Sequence, residues 1–227
     1  MRTSTGSRPG FVVGLTAEAR VAERFGYPVL VGGGTPEGAA EAAYQLVEQG
    51  ANALVSFGFA GGLDPALRPG SLVIPTSILS DGRFYAAEPS LADRFGGLTG
   101  HCLIAGTATA TSSTSKRELH ATTRAHAIDL ESGSVARVAE DHGLPFVVVR
   151  AISDAADRDL PPAALLALDG GGRVDLMRVL ASLLRQPAQL PALLRLAVDA
   201  TRARQALIGL TRRRLSGPEY QPAYSLG

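Results

Sequence analysis

One cysteine, Cys102, occurs in 227 residues. No internal disulfide can form, and such usage fits a reducing compartment. Cys102 itself reads as a small buried residue on a strand. Lysine is equally scarce: Lys116 is the only one, and every other basic residue is arginine. That bias reads as composition rather than as a mark of function. No apolar run reaches the ~18 residues of a membrane-spanning helix. Residues 1–10 are polar and lack the apolar centre of a secretion signal, so a cytoplasmic protein is expected. Charge of one sign is also missing. With 22 basic and 21 acidic residues, composition offers no argument for nucleic acid as a partner. The four histidines, His101, His120, His126 and His142, are scattered and show no metal-ligand spacing.

What is present describes a folded α/β chain. Hydrophobic residues make up 45%, enough for one domain with a sizeable core. Phe146-Val147-Val148-Val149 is a strand buried on both faces. It continues through Arg150-Ala151-Ile152 and delivers Ser153 and Asp154 at its carboxyl end. In open α/β sheets ligands sit beyond those ends. A carboxylate there is partly desolvated and can serve as an acid; the alternative is an Asp that caps the next turn. Further strands are expected at Phe11–Val13, Val29–Val31, Ala53–Phe57, Ser71–Pro75 and Cys102–Ala105. Thr16 is a plausible cap for a helix through Phe25, with Glu18 in its first turn. Gly32-Gly33-Gly34-Thr35-Pro36 opens a second helix, with Thr35 as cap and Pro36 at the first helical position. Such a turn either binds an anion or is only tight. Gly58 to Gly62 reads as a glycine-rich turn after a strand, where backbone can approach a ligand. Glu131 precedes a helix over Ser134–Asp141. Asp129, two residues earlier, would point elsewhere in an extended chain. Arg150 is expected to pair with a nearby carboxylate.

Three motifs recur in order: Gly58-Phe59-Ala60-Gly61-Gly62-Leu63, then Asp129-Leu130-Glu131-Ser132, then Val149-Arg150-Ala151-Ile152-Ser153-Asp154. Over roughly residues 11 to 155 this set resembles the nucleoside phosphorylase/nucleosidase superfamily, which includes the methylthioadenosine/S-adenosylhomocysteine nucleosidases. The resemblance implies a single α/β domain over residues 11–210, with a mixed central sheet flanked by helices. Residues 1–10 and 216–227 are then tails expected to be disordered. It also implies N-ribosyl cleavage with three catalytic acids. Asp154 would protonate the leaving purine, with Ser153 orienting it. Glu131 would hold the ribose hydroxyls, and Glu18 would activate water. Gly58, Phe59, Ala60, Leu130 and Arg150 would surround the sugar. Thr109 and Ala110 fall where relatives place a purine-stacking aromatic, and Gly33 falls where they place a bulky residue near the sugar's 5′ substituent. No metal or redox cofactor is implied, phosphate entering only as a co-substrate if the enzyme is a phosphorylase. A homo-oligomer is implied.

After Asp154 the chain turns Leu- and Ala-rich. Helices are expected over Ala163–Leu168, Val174–Leu184 and Leu190 to about Leu210. In the last, Leu190, Leu193, Leu194, Ala197 and Thr201 form an apolar face opposite Arg195, Asp199 and Arg202. That face packs on the sheet or on another subunit. The sharper alternative is an amphipathic surface for lipid, with Arg212 to Arg214 near anionic headgroups. This tail, with Gly-Leu-Thr-Ala-Glu-Ala-Arg and Val-Gly-Gly-Gly-Thr-Pro, is similar to the hopanoid-associated branch, which implies release of adenine from adenosylhopane. A purine nucleoside phosphorylase, a nucleosidase for small substrates and a non-catalytic nucleoside- or lipid-binding protein remain as alternatives.

Overall fold

The computed structural model describes residues 8–106, 110–165 and 176–215. The tails at 1–7 and 216–227, Thr109, and the chain from Leu166 to Asp175 lie outside the described residues. In chain order the elements are β1 (Pro9–Val13), α1 (Thr16–Ala22), β2 (Val29–Val31), α2 (Pro36–Glu48), β3 (Ala53–Gly62), β4 (Leu72–Val73), β5 (Ser77–Ser80), β6 (Arg83–Ala86), α3 (Pro89–Ala92), β7 (Cys102–Ala105), α4 (Ser113–Thr123), β8 (Ala127–Asp129), α5 (Ser132–Asp141), β9 (Phe146–Asp154), α6 (Pro162–Leu165), α7 (Leu176–Arg185) and α8 (Leu190–Leu215).

The strands form one mixed sheet running β2-β1-β3-β8-β7-β5-β6, with β9 pairing β3 and β4. At its centre β9 lies parallel to β3, from Leu54 opposite Phe146 to Gly61 opposite Asp154. Alternate residues of these strands face opposite layers. Leu54, Val148 and Ile152 pack with Leu46 of α2 and Val135 of α5. Val55, Phe57, Val147 and Val149 face the other way, against Leu207 and Leu210 of α8. Helices therefore cover both faces, and the site residues at the strand ends are held by a rigid centre. This is the expected single α/β domain.

Three expectations about local structure are corrected, and one element was missed. Gly58 to Gly62 is not a turn but the second half of β3, because β9 pairs with it as far as Gly61. Thr16 is the first helical residue rather than the cap; Leu15 holds the cap position. The helix α4, with its reciprocal Ser112–Ser115 cap, was not anticipated. On α8, the buried residues are Asp199, Ala203, Leu207, Leu210 and Thr211, whereas Leu190, Leu194 and Val198 are exposed. Asp199 tolerates burial because Arg158 and Arg202 both pair with it. Other expectations hold: Thr35 accepts the N–H of Gly38, with Pro36 in the first turn of α2. Among the described residues no helix is long and apolar enough to cross a membrane.

Candidate active site

The site is assembled from β3, β9, the β1–α1 corner and the start of α5. Glu18 is buried and both its oxygens are spoken for. Oε2 accepts the N–H groups of Gly14 and Leu15 at 2.9 and 2.8 Å. Oε1 accepts the N–H of Phe59 at 2.7 Å. The first two are free donors at a helix N-terminus, so the carboxylate does the work of a cap. Burial raises the Glu18 pKa above its ordinary value, and Arg150 and the three N–H groups oppose that shift.

Arg150 is fully buried beneath the site. Its Nε donates to Asp129 at 2.7 Å, and its Nη2 to Ser56 at 2.7 Å and to Glu131 at 3.2 Å. Burial alone would lower its pKa; Asp129, Glu131 and Glu18 outweigh this and raise it. The expected pairing of Arg150 is thus present, with more than one carboxylate. Asp129 does not point elsewhere: it accepts Arg150, the N–H groups of Glu131 and Ser132, and the Ser132 hydroxyl. β8 stops at Asp129, and the chain then bends into α5, so simple strand alternation does not carry through.

Glu131 sits at the cap position of α5. Its Oε2 meets Arg150, whereas its Oε1 is buried without a hydrogen-bond partner among the described residues, as is Arg150 Nη1. A buried, unpaired acceptor is costly unless a ligand completes it. Burial first, then the charges of Glu18 and Asp129, push the Glu131 pKa up to about 7 against the pull of Arg150. Glycines make the crowding possible. A Cβ on Gly14 would fall on Glu131 Oε1, and one on Gly58 would fall on Glu18 Oε1 and, at 2.6 Å, on Arg150 Nη1.

Asp154 ends β9 four residues beyond Arg150, roughly 13 Å along the strand. Ser153 donates to its Oδ1 at 2.9 Å and also to the Ala60 carbonyl. Its Oδ2 accepts Lys116 Nζ at 2.5 Å. The reading of Lys116 as mere composition is therefore incomplete. Asp154 lines a cleft of about 180 Å³ with Arg158, Leu160 and, from α8, Ala192, Arg195, Leu196 and Asp199. A second, larger cleft of about 450 Å³ is lined by Gly34, Thr35, Gly106, Leu130 and Ser134, among others.

The remaining expected site residues are placed unevenly. Phe59 offers its backbone to Glu18, and its ring packs on the core beside α8. Leu130 faces the larger cleft. Ala110 is buried with Leu63, Ala125 and Ile128. Gly33 has φ 74° and Gly34 φ 75°, so the turn itself demands glycine there whatever space lies beyond. His101, His120 and His126 are not scattered but neighbours, with ring centroids 4.9 and 6.1 Å apart along the chain of contacts. No metal-binding group of histidine, cysteine and carboxylate forms among the described residues.

Two outcomes follow from this geometry. Glu18→Gln places an NH₂ against at least one backbone donor, so it should lower unfolding stability by about 1–3 kcal/mol. Urea denaturation showing an unchanged midpoint and slope would contradict that. Glu18 and Glu131 also make stability depend on pH. A raised folded-state pKa means the folded protein binds more protons than the unfolded chain. Each contribution is therefore complete below 4.5, the ordinary value; that of Glu131 is lost as pH climbs through about 7, and that of Glu18 as pH climbs through its own raised value. Thermal unfolding should occur at a lower temperature at pH 8 than at pH 5, with a smaller difference in Glu131→Gln.

Comparison with known proteins identifies the family and the fold. The family model described as the phosphorylase superfamily matches residues 25–101 and 98–170. A 5′-methylthioadenosine/S-adenosylhomocysteine nucleosidase from Helicobacter pylori, solved with butyl-thio-DADMe-Immucillin-A, superposes with a TM-score of 0.65 at 17% identity, over 92% of this chain and 99% of that one. Futalosine hydrolase from the same organism gives 0.64 at 17% identity, over 93% and 100%. An S-adenosylhomocysteine nucleosidase from Streptococcus pyogenes gives 0.64 at 17%, over 93% and 99%. At such identities the structures speak for the fold, while the family model covers well over half of the sequence. The chain belongs to the phosphorylase superfamily.

Proposed function

We propose that the protein is an N-ribosyl hydrolase that releases adenine from a nucleoside. The observation that carries hydrolysis is the seat of Glu18. Backbone N–H groups at a helix start are ready anion sites, but those of Gly14 and Leu15, and that of Phe59 in β3, are already taken by the Glu18 carboxylate. Asp129 and Glu131 add two more acids around a single arginine, so a phosphate nucleophile would meet net negative charge. Water meets a base instead. Glu131, whose Oε1 has no hydrogen-bond partner among the described residues, would accept a ribose hydroxyl. Asp154 serves as the acid toward N7 of the departing purine.

The finer reading is that the adenosyl group is carried on a lipid, adenosylhopane becoming ribosylhopane. It rests on the sequence resemblance to the hopanoid-associated branch and on the surface of α7 and α8. Leu184 is 86% exposed and Leu194 60%, with Leu190 and Val198 completing a stripe at helical spacing. Residues 181–215 hold seven arginines and one acid, the buried Asp199. Apolar and exclusively cationic, this surface suits the anionic face of a membrane. Symmetric pairing of two copies through it would oppose arginine to arginine. Homo-oligomerisation, where it occurs, would use other surfaces.

The test compares adenine release from methylthioadenosine and from 5′-alkyl-adenosines of growing length in anionic liposomes, without phosphate. Each buried CH₂ contributes about 0.8 kcal/mol, so efficiency should climb with chain length. Leu190→Glu with Leu194→Glu should abolish that climb and spare methylthioadenosine. A preference for methylthioadenosine in both proteins would remove the lipid reading. Ribose 1-phosphate appearing only with added phosphate would make the enzyme a phosphorylase. No free adenine from any substrate would leave a binding protein.

A further inference from the structure

Lys116 stands alone against 21 arginines, and its side chain has no exposure at all. It rises from the first turn of α4, and its ammonium has three donors. All three are used: Asp154 Oδ2 at 2.5 Å, the Ala155 carbonyl at 2.9 Å and the Arg158 carbonyl at 3.1 Å. The ammonium thus fastens α4 to the end of β9 and to the loop that follows. A charge withdrawn this far from water is costly unless paired and fully hydrogen-bonded, and here it is both.

An arginine would hold a carboxylate as firmly, and with two parallel bonds. What it cannot do is release a proton, whereas a buried lysine can. The one position in the chain where the cation is lysine is the one in contact with the carboxylate at the end of β9. We propose that Lys116 stores the proton that Asp154 delivers to the departing base. This rests on the nucleosidase reading above. Lys116 does not touch substrate; it acts through Asp154 as a positioning residue that also holds a proton.

The step balances as follows. The bond between C1′ and the purine nitrogen breaks, and its electron pair goes to the purine. N7 takes a proton from Asp154, and Asp154 Oδ2 takes one from Lys116, which becomes a neutral amine. Water bonds to C1′ and yields a proton to Glu18. Solvent carries that proton away and recharges Lys116.

Few other charges face the pair. From the loop after β9, Arg158 turns its side chain to Asp199, which Arg202 also holds. Asp159 sits below its ordinary pKa because the Ser113 N–H donates to it. Arg195 of α8 lines the same cleft, and Arg117 follows Lys116 on α4.

Being the sole lysine, Lys116 gives the only side-chain signal from protein labelled with ¹³C,¹⁵N-lysine. Its charge can be followed by NMR in the unmodified chain while kcat/KM for methylthioadenosine is measured over the same pH range. The alkaline fall in kcat/KM should share its midpoint with the deprotonation of Lys116. Lys116→Met should cut kcat about 10²-fold with little change in KM. Lys116→Arg should keep KM and fold without restoring kcat. A rate that falls while Lys116 stays fully charged overturns the inference, and so does Lys116→Arg with wild-type kcat. If the wild-type protein releases no adenine at all, the nucleosidase reading fails and this inference falls with it.

Discussion

Asp154→Asn should lower turnover by ~10²–10⁴-fold, the range expected when a general acid is lost, with little loss of fold. The amide keeps the shape of the carboxyl and can turn its oxygen toward Lys116 Nζ. Its NH₂ then faces Ser153 Oγ, which can accept as well as donate. What the variant lacks is a group that can gain a proton from Lys116 and pass it on. Adenine release by a variant with wild-type thermal unfolding is the measurement. Near-normal turnover would remove Asp154 from the chemistry and leave it as an anchor for α4.

Arg150→Met has the largest expected effect on stability. Among the described residues the guanidinium is the one cation between Glu18, Asp129 and Glu131, all of them buried. Taking it away strands three carboxylates, and breaking even one buried pair in this way typically costs about 3–5 kcal/mol. The deficit has a pH signature. Without Arg150 the carboxyls ionise less readily, so the variant should recover part of its stability toward pH 5, where they take up protons. Chemical denaturation at pH 5 and pH 8 checks both halves. A variant within about 1 kcal/mol of wild type at pH 8 would mean that the acids find other partners.

Much of this arrangement is legible in the sequence alone. β9 announced itself as an unbroken apolar run, and strands that are buried on both faces leave that trace. Its end, Ser153-Asp154, was readable for the same reason. Gly58 to Gly62 misled because three glycines in five residues ordinarily mark a turn. Here they mark a strand approached by bulky acids: Gly58 clears Glu18, and Gly61 lies close to Asp154. Local propensity gave way to tertiary pairing with β9. Lys116 escaped because its partner lies 38 residues away and its helix is polar, with lysine as its one buried residue. The Ser112–Ser115 cap was the available signal. On α8 the more hydrophobic stripe looked like the inner one. The burial of Asp199 depends on Arg158, 41 residues away, and no periodicity reports that.

Proteases that cut only after lysine have a single target in this chain, the bond following Lys116. That bond lies in a hydrogen-bonded helix, and the side chain that such an enzyme must grip is wholly enclosed. Cleavage therefore requires the α4 segment to separate from the end of β9. When reclosing outpaces cutting, the digestion rate measures the free energy of that opening. The protein thus carries its own one-site gauge of how tightly this corner is shut. Any ligand that presses on Asp154 should register on it as slower digestion to two fragments.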